Sequence, residues 1–224
     1  MAIRMSSTIS GFTKSMTGAA IVGAIIFTSA GRWNLPFVWA ILGLLCLFYC
    51  SMTVMSDPEL VTERNSPGPG NMDRLTRPMS GLLLIGHWII AGLDIGRFHW
   101  SPVPWSVQVG GVLGYSAALT VNLWAMRVNT FYSSVVRVQS ERGHRVIDVG
   151  PYRFVRHPGY LATLLAMLSG GIALGSWLAM IPILGFAVLF IRRTILEDQM
   201  LRDELPDYAG YAQRVRWRLI PGIF

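Results

Sequence analysis

The segment "GPYRFVRHPGY", residues 150–160, places charged, imidazole and aromatic side chains between stretches that are almost entirely apolar. In this segment His157 precedes Pro158, and a proline is well suited to the first position of a helix. Backbone amides at a helix start are free to bind an anion or a carboxylate, and the helix dipole favours that charge. His157 and Tyr160 would lie beside these amides, which makes the segment a candidate binding site.

An interfacial role is the alternative explanation for the same segment. Arginine and histidine side chains would then mark the membrane surface, and Tyr152, Phe154 and Tyr160 would form an aromatic belt at that depth. The residue types alone leave both explanations open.

A second polar segment, "RRTILEDQMLRDEL" at residues 192–205, begins where the last apolar stretch ends. Arg193 and Glu197 are four positions apart and therefore share one face of a helix. A carboxylate at the rim of an apolar site is costly unless it is paired or functional. The alternative is an ordinary ion pair within the helix between these two residues. Pro206 is expected to end this helix.

The overall composition is that of a membrane protein. The 224 residues are 52% hydrophobic and only 14% charged, whereas ordinary soluble domains have about 25% charged residues. We predict an all-α, multispanning helical bundle with about six transmembrane helices, the last two joined as a tight hairpin at Gly175 and Ser176. The six apolar stretches are residues 16–30, 36–55, 79–96, 104–126, 159–175 and 176–191.

The distribution of basic residues predicts the orientation. Short cytoplasmic loops collect Lys and Arg, and six spans would place 17 of the 19 basic residues on one side together with both termini. We therefore expect an integral, multi-pass protein with both termini in the cytoplasm. The net charge of +7 fits this cytoplasmic face against anionic lipid, and no nucleic-acid partner is expected. Cys46 and Cys50 are explained by helix packing, and no metal site is expected.

One membrane domain, residues 1–224, is the simplest organisation because no long linker or repeat divides the chain. Residues 1–126 supply four spans, and residues 127–224 carry most of the side chains capable of chemistry. In the third stretch, His87 and Asp94 could line a substrate passage, and Asp94 is expected to reach water. Asn122 in the fourth stretch is expected to make an interhelical hydrogen bond.

Three segments together, "GPYRFVRHPGY", "RRTILEDQML" and "YAGYAQRVRWRLIP", resemble the isoprenylcysteine carboxyl methyltransferase family, which includes related phospholipid methyltransferases. The resemblance covers about the last hundred residues. Members of this family take a methyl group from S-adenosylmethionine without a Rossmann domain, and no strand followed by a GxGxxG turn is visible in the sequence. The glycines of "GGVLG", residues 110–114, are better explained by close helix packing.

The resemblance implies roles for individual residues in a cytoplasmic cofactor-binding region. Glu197 and Arg193 are the predicted catalytic pair, with Glu197 also binding the cofactor and Arg193 orienting the polar group of the substrate. The roles of Asp198, where many relatives carry a second glutamate, and of Arg192 are left open. The other predicted cofactor-binding residues are Arg137, His144, Arg145, Val146, Ile147, Tyr152, His157, Pro158, Gly159 and Tyr160.

The function that the resemblance implies is methyl transfer from S-adenosylmethionine to a lipophilic acceptor that enters from the bilayer. The acceptor could be the carboxylate of an isoprenylated cysteine, although a lipid amine, a thiol or another amphiphile would suit the same architecture. Two alternatives stay open: a sterol-type membrane reductase that uses NADPH, and a non-catalytic membrane scaffold.

Overall fold

The computed structural model describes residues 2–55 and 57–224, with the side chains of residues 2–12, 14, 15, 58, 61 and 65 left out of the description. Regular structure in these ranges is helical, apart from an isolated bridge between Pro102 and Ser176. The α-helices of the described part are α1 (Ala2–Ala30), α2 (Pro36–Met55), α3 (Pro58–Asn65), α4 (Thr76–Leu93), α5 (Trp105–Val128), α6 (Pro158–Ala173), α7 (Met180–Glu204) and α8 (Tyr208–Arg214).

Three helices of the described chain are long and apolar enough to cross a bilayer. They are α2, α5, and α4 together with the π-helical turn Asp94–Phe98 that extends it. The apolar parts of α1 and α6 are shorter. The prediction of an all-α membrane protein is confirmed, whereas six remains only the predicted number of spans.

Two prolines set helix boundaries in the C-terminal part. Pro158 begins α6 as predicted, because its missing N–H is unneeded in the first turn. Pro206 separates α7 from α8, also as predicted. Between α6 and α7 the chain reverses at Gly175, whose φ of 92° is a conformation that L side chains rarely adopt.

Small residues let α5 and α6 pack closely. A Cβ at Gly111 would lie 2.7 Å from the backbone nitrogen of Ala173, and one at Gly114 would lie 2.7 Å from Ser169 Oγ. This confirms that "GGVLG" serves close helix packing. The expected interhelical hydrogen bond of Asn122 is also confirmed, since its amide donates to Thr163 Oγ1 at 3.0 Å.

The expectation that Asp94 reaches water is wrong. Its side chain is buried and accepts hydrogen bonds from the hydroxyls of Ser101 and Ser176, each at 2.5 Å. His87 is buried too, with Nδ1 2.8 Å from the carbonyl oxygen of Ala179. Hydropathy could not reveal these partners, because Ser101 lies beyond the end of the helix and Ser176 lies 82 positions away in sequence. The suggested place of His87 and Asp94 along a substrate passage stays a prediction.

A separate apolar cluster lies around the C-terminal end of α7 and supports the C-terminal polar segments. It packs the loop after α5 against the end of α7 and against α8. The burial of these side chains gives the region between the two polar segments a fixed shape. Its buried members are Val136, Met200, Leu201, Leu205, Tyr208, Tyr211 and Ala212.

Candidate active site

A partly open cavity lies between the loop after α5, the start of α6 and the end of α7 with α8. The structure therefore brings the predicted cofactor-binding residues together, while their roles stay predictions. Pro158 alone of that set is absent from the lining, which includes Arg137, His144, Arg145, Val146, Ile147, Tyr152, His157, Gly159, Tyr160 and Glu197.

The segment before α6 is held in place by the C-terminal part of the chain. The backbone N–H of Arg156 donates to the carbonyl of Trp217, and that of His157 donates to the carbonyl of Arg218, both at 2.9 Å. The Arg156 guanidinium also donates to the carbonyl of Val215 at 2.8 Å. These bonds fix the backbone on which His157 enters the cavity wall.

Asp198 is the acceptor on which several polar side chains converge. Its carboxylate is 1% exposed and receives hydrogen bonds from Arg156 at 2.7 and 3.1 Å, from Tyr208 at 2.9 Å and from Arg218 at 3.0 Å. Burial alone would raise the pKa of Asp198, but the contacts with His157 and Arg156 hold it well below the usual range. Asp198 thus joins α7 to the start of α6 and to the C-terminal segment.

His157 lies between two acids. Its Nδ1 is 3.8 Å from Glu197 Oε1, and its Nε2 is 3.5 Å from Asp198 Oδ1. The imidazole stacks on the Tyr160 ring with a centroid distance of 5.7 Å and an interplanar angle of 5°. Nε2 is buried and faces the Asp198 carboxylate, so the His157 ring joins the framework around Asp198.

Tyr160 connects the two predicted catalytic residues. Arg193 Nε donates to Tyr160 Oη at 2.8 Å, and the Tyr160 hydroxyl donates to the Glu197 carboxylate. Within the described chain Arg193 and Glu197 form no ion pair within 4 Å, so the alternative of a simple intrahelical pair is wrong. Arg193 is 4% exposed, whereas the side chain of Arg192 is 46% exposed, so Arg193 is the one that points inward.

Glu63 in α3, within the segment "DPELVTER", was not predicted from the sequence to lie at the site. Arg137 donates to Glu63 at 3.0 and 2.7 Å and to Glu141 at 2.5 Å. Burial would raise the pKa of Glu63, but hydrogen bonds from Arg137 and Ser133 lower it to about 2. The guanidinium of Arg137 is therefore a neutralised part of the cavity wall.

Asp73, just before α4, was also missed. It is 1% exposed and contacts both arginines in the middle of α7, with Oδ1 3.0 Å from Arg192 Nη1 and Oδ2 3.7 Å from Arg193 Nη1. Asp73 also accepts the backbone N–H of Thr76 at 3.2 Å, but its arginine partners are more than a hundred residues away in sequence, so no local pattern predicts these ion pairs.

Aromatic side chains cover the remaining wall, and Tyr132 among them was not predicted. A Cβ at Gly159 would overlap the Tyr132 ring, so the backbone of α6 approaches this tyrosine closely only because residue 159 is glycine. His144 stacks on Phe131 at a centroid distance of 4.5 Å. Burial, together with the positive charges of Arg137 and Arg142, lowers the pKa of His144 to about 4, so its imidazole is neutral at physiological pH.

Residues 114–203 match the family model described as "Isoprenylcysteine carboxyl methyltransferase (ICMT) family". This region is similar to the isoprenylcysteine carboxyl methyltransferase family. The predicted resemblance is thereby confirmed, and every predicted site residue from Arg137 to Glu197 lies inside the matched region. Isoprenylcysteine carboxyl methyltransferases are membrane methyltransferases, in agreement with the helical membrane fold.

Two curated proteins are also similar to the chain. The cobalt-zinc-cadmium resistance protein CzcN of Cupriavidus metallidurans is 27% identical over 166 residues, which cover 67% of this chain and 71% of that protein. The nickel-cobalt-cadmium resistance protein NccN of Alcaligenes xylosoxydans xylosoxydans is 24% identical over 139 residues, 58% of this chain and 61% of that protein. Among the residues described here, no group of three or more His, Cys, Asp or Glu side chains is placed to hold a metal ion.

Proposed function

We propose that this protein is an S-adenosylmethionine-dependent methyltransferase whose acceptor is a lipophilic molecule from the bilayer. The observation that carries the proposal is the chain of contacts from Glu197, which lines the cavity, through Tyr160 to the buried Arg193. This chain would link the proposed cofactor site to the end of the apolar part of α7. The family of residues 114–203 supports the same chemistry.

The residues around the cavity fit S-adenosylmethionine. The molecule carries a sulfonium, an ammonium, a carboxylate and a flat adenine, and it supplies an electrophilic methyl group when bound. The side chain of Glu197, 24% exposed, offers a carboxylate for the cations. Tyr132 and Tyr152 offer aromatic walls. The strip from His144 to Ile147 completes the proposed binding surface.

The acceptor side of the proposed site is organised by Arg193. Its guanidinium is buried and held by Tyr160 and by the carbonyl of Ser134, so it can orient a polar group without large loss of side-chain entropy. Holding the acceptor in line, with water excluded, contributes several kcal/mol to methyl transfer. The carboxylate of an isoprenylated cysteine is the acceptor for which the family is named.

The proposed topology has six spans and both termini in the cytoplasm. The basic residues support it, because 17 of 19 then lie on the cytoplasmic side. In this topology the cavity would lie at the cytoplasmic side, next to loops that carry most of the arginines. A membrane-impermeant thiol reagent, applied to single-cysteine variants in sealed vesicles, would measure which loops face outward.

Calorimetric titration of S-adenosylmethionine into the full chain in lipid nanodiscs tests the proposed function. We expect saturable binding that Glu197→Gln weakens by about 10-fold or more, as loss of a charge-assisted contact does. Glu204→Gln, at an exposed acid of the same helix, is the matched control and should bind normally. A folded wild-type protein that binds no S-adenosylmethionine would contradict the proposal. Binding of NADPH in a parallel titration would favour the reductase instead.

A further inference from the structure

We propose that Arg145 binds the carboxylate of S-adenosylmethionine, and that this contact distinguishes the complete cofactor from one that lacks the carboxylate. The inference rests on the proposed function and assigns one end of the cofactor to one residue of the cavity wall. Arg145 belongs to the strip from His144 to Ile147, whose four consecutive residues all line the cavity.

Arg156 is the first of the other arginines in the cavity lining, and the protein itself holds its guanidinium. Its Nε and Nη2 donate to the carboxylate of Asp198, and its Nη1 donates to the carbonyls of Val215 and Arg216. The side chain is 2% exposed. Arg156 therefore serves the framework of the cavity rather than a ligand inside it. In the described part of the chain, the arginines of the lining are Arg137, Arg145 and Arg156.

Arg137 is also occupied, because it already contacts two carboxylates. Its guanidinium donates to Glu63 at 3.0 and 2.7 Å and to Glu141 at 2.5 Å, and its side chain is 5% exposed. The carboxylate of a ligand would be the third at this guanidinium and would be repelled by the first two. Arg137 is therefore a poor partner for an anion in the cavity.

Arg145 differs from both because it is exposed and has no acidic partner. Among the described residues its guanidinium forms neither a hydrogen bond nor an ion pair. The acids nearest to it in sequence bind elsewhere: Glu141 contacts Arg137 at 2.5 Å, and Asp148 contacts Arg214 at 3.1 Å. The positive charge of Arg145 is therefore available to an anion that enters the cavity.

The carboxylate is the anionic group of S-adenosylmethionine, and a guanidinium suits it. Two parallel N–H groups of an arginine can donate to the two carboxylate oxygens, which adds direction to the attraction between the charges. An exposed arginine at the cavity opening can form this contact without the cost of burying an unpaired charge beforehand.

Glu197 supplies the opposite charge from a different element. It is the acid that lines the cavity in the described part of the chain, and it lies on α7, whereas Arg145 lies in the loop after α5. Glu197 is proposed above to bind the cations of the cofactor, so Arg145 and Glu197 would bind groups of opposite charge. Removing either side chain should then affect different ligands.

Calorimetric titration with two ligands tests the inference. S-adenosylmethionine is compared with its decarboxylated analogue, which keeps the adenosyl group, the sulfonium and the ammonium. Both are titrated into the full chain in lipid nanodiscs, for wild type, Arg145→Gln, Arg145→Lys and Glu197→Gln. Arg153→Gln is the matched control, because Arg153 is also exposed but is absent from the cavity lining.

We expect wild type to bind S-adenosylmethionine about 10-fold or more tightly than the analogue, as one charge-assisted contact provides. Arg145→Gln should remove this preference by weakening the binding of S-adenosylmethionine alone. Arg145→Lys should keep part of the preference, because an ammonium keeps the charge but not the parallel N–H groups. Arg153→Gln should behave as wild type, and Glu197→Gln should weaken the binding of both ligands.

Two results would overturn the inference and leave the proposed function standing. One is an Arg145→Gln variant that keeps the wild-type preference, and the other is a wild type that binds both ligands equally well. The second comparison needs no variant, so it decides even where a variant fails to fold. A folded wild type that does not bind S-adenosylmethionine would overturn the proposed function as well.

Discussion

Arg156 and Asp198 form a bidentate ion pair across 42 positions of sequence, with N–O distances of 2.7 and 3.1 Å. Both side chains are almost completely buried, at 2% and 1% exposure. The pair joins the residue before His157 to the residue after Glu197, so it fixes the relative position of the two polar segments that form the cavity. A residue whose role the sequence left open is thus at the centre of the site's framework.

Replacing Asp198 by asparagine should destabilise the fold strongly. Arg156 and Arg218 would lose the charge that compensates them, and breaking a buried ion pair costs about 3 to 5 kcal/mol. The free energy of unfolding in detergent measures this effect. Asp203→Asn, at an exposed residue bonded to Gln199, should change it by less than about 0.5 kcal/mol. Equal stability of the two variants would contradict the framework role of Asp198.

Glu63 should make the protein sensitive to acid. Its pKa is about 2 in the folded chain, against an ordinary value of 4.5. A carboxyl group with a lowered pKa stabilises the fold fully above about pH 4.5, and this contribution is lost as the pH falls towards 2. We expect Glu63→Gln to be less stable than wild type at pH 7 and to lose less stability over that acidic range.

Chemical unfolding across pH measures the Glu63 effect, and Glu59→Gln is the matched control. Glu59 lies on the same short helix, but its side chain is 78% exposed in its contact with Arg142. If the free energy of unfolding of wild type and of Glu63→Gln changed in parallel with pH, the buried ion pair with Arg137 would contribute nothing to the pH dependence of stability.

Gly159→Ala should impair cofactor binding. The added methyl group overlaps the Tyr132 ring, so the start of α6 must shift away from the cavity wall, and overpacking of this kind costs about 1 to 3 kcal/mol. Calorimetry should show S-adenosylmethionine affinity reduced by about 10-fold. Gly210→Ala, where the nearest atom lies 3.9 Å from the added Cβ, should bind as wild type does. Unchanged affinity of Gly159→Ala would show that this contact is not needed.

His144 should titrate far below an ordinary histidine. Its pKa is lowered to about 4, so the unfolded chain binds more protons between that pH and the ordinary value of 6.5, and stability falls as the pH drops through this window. NMR of histidine-labelled protein in nanodiscs, assigned with His144→Gln, would follow the titration. A midpoint near the ordinary value would contradict the buried, neutral imidazole.

Local chemistry predicted some parts of the structure well. Pro158 begins α6 because a proline suits the first turn, and the glycines at 111 and 114 pack closely against α6. Both features depend on residue types at short spacing, which a single sequence displays. The strip from His144 to Ile147 came from the family resemblance and lies in the cavity lining, although periodicity alone does not mark it.

Long-range pairing is the part that the sequence did not reveal. Glu63, Asp73 and Asp94 each find partners more than sixty positions away, and the choice of partner is made by helix packing rather than by local pattern. The same reason explains the wrong expectation for Asp94: a position near a helix end suggests contact with water, but the loops that carry Ser101 and Ser176 cover it.

Two buried arginines of the matched region, Arg137 and Arg193, contact buried acids from outside it. Arg137 and Arg193 lie within residues 114–203, whereas Glu63 and Asp73 precede it. Arg218, which contacts Asp198, follows it. Residues 114–203 therefore cannot be transferred alone to another set of helices. Arg137 and Arg193 would then be buried without the carboxylates of Glu63 and Asp73. A working chimera must transfer residues 57–75 and 208–218 along with that region.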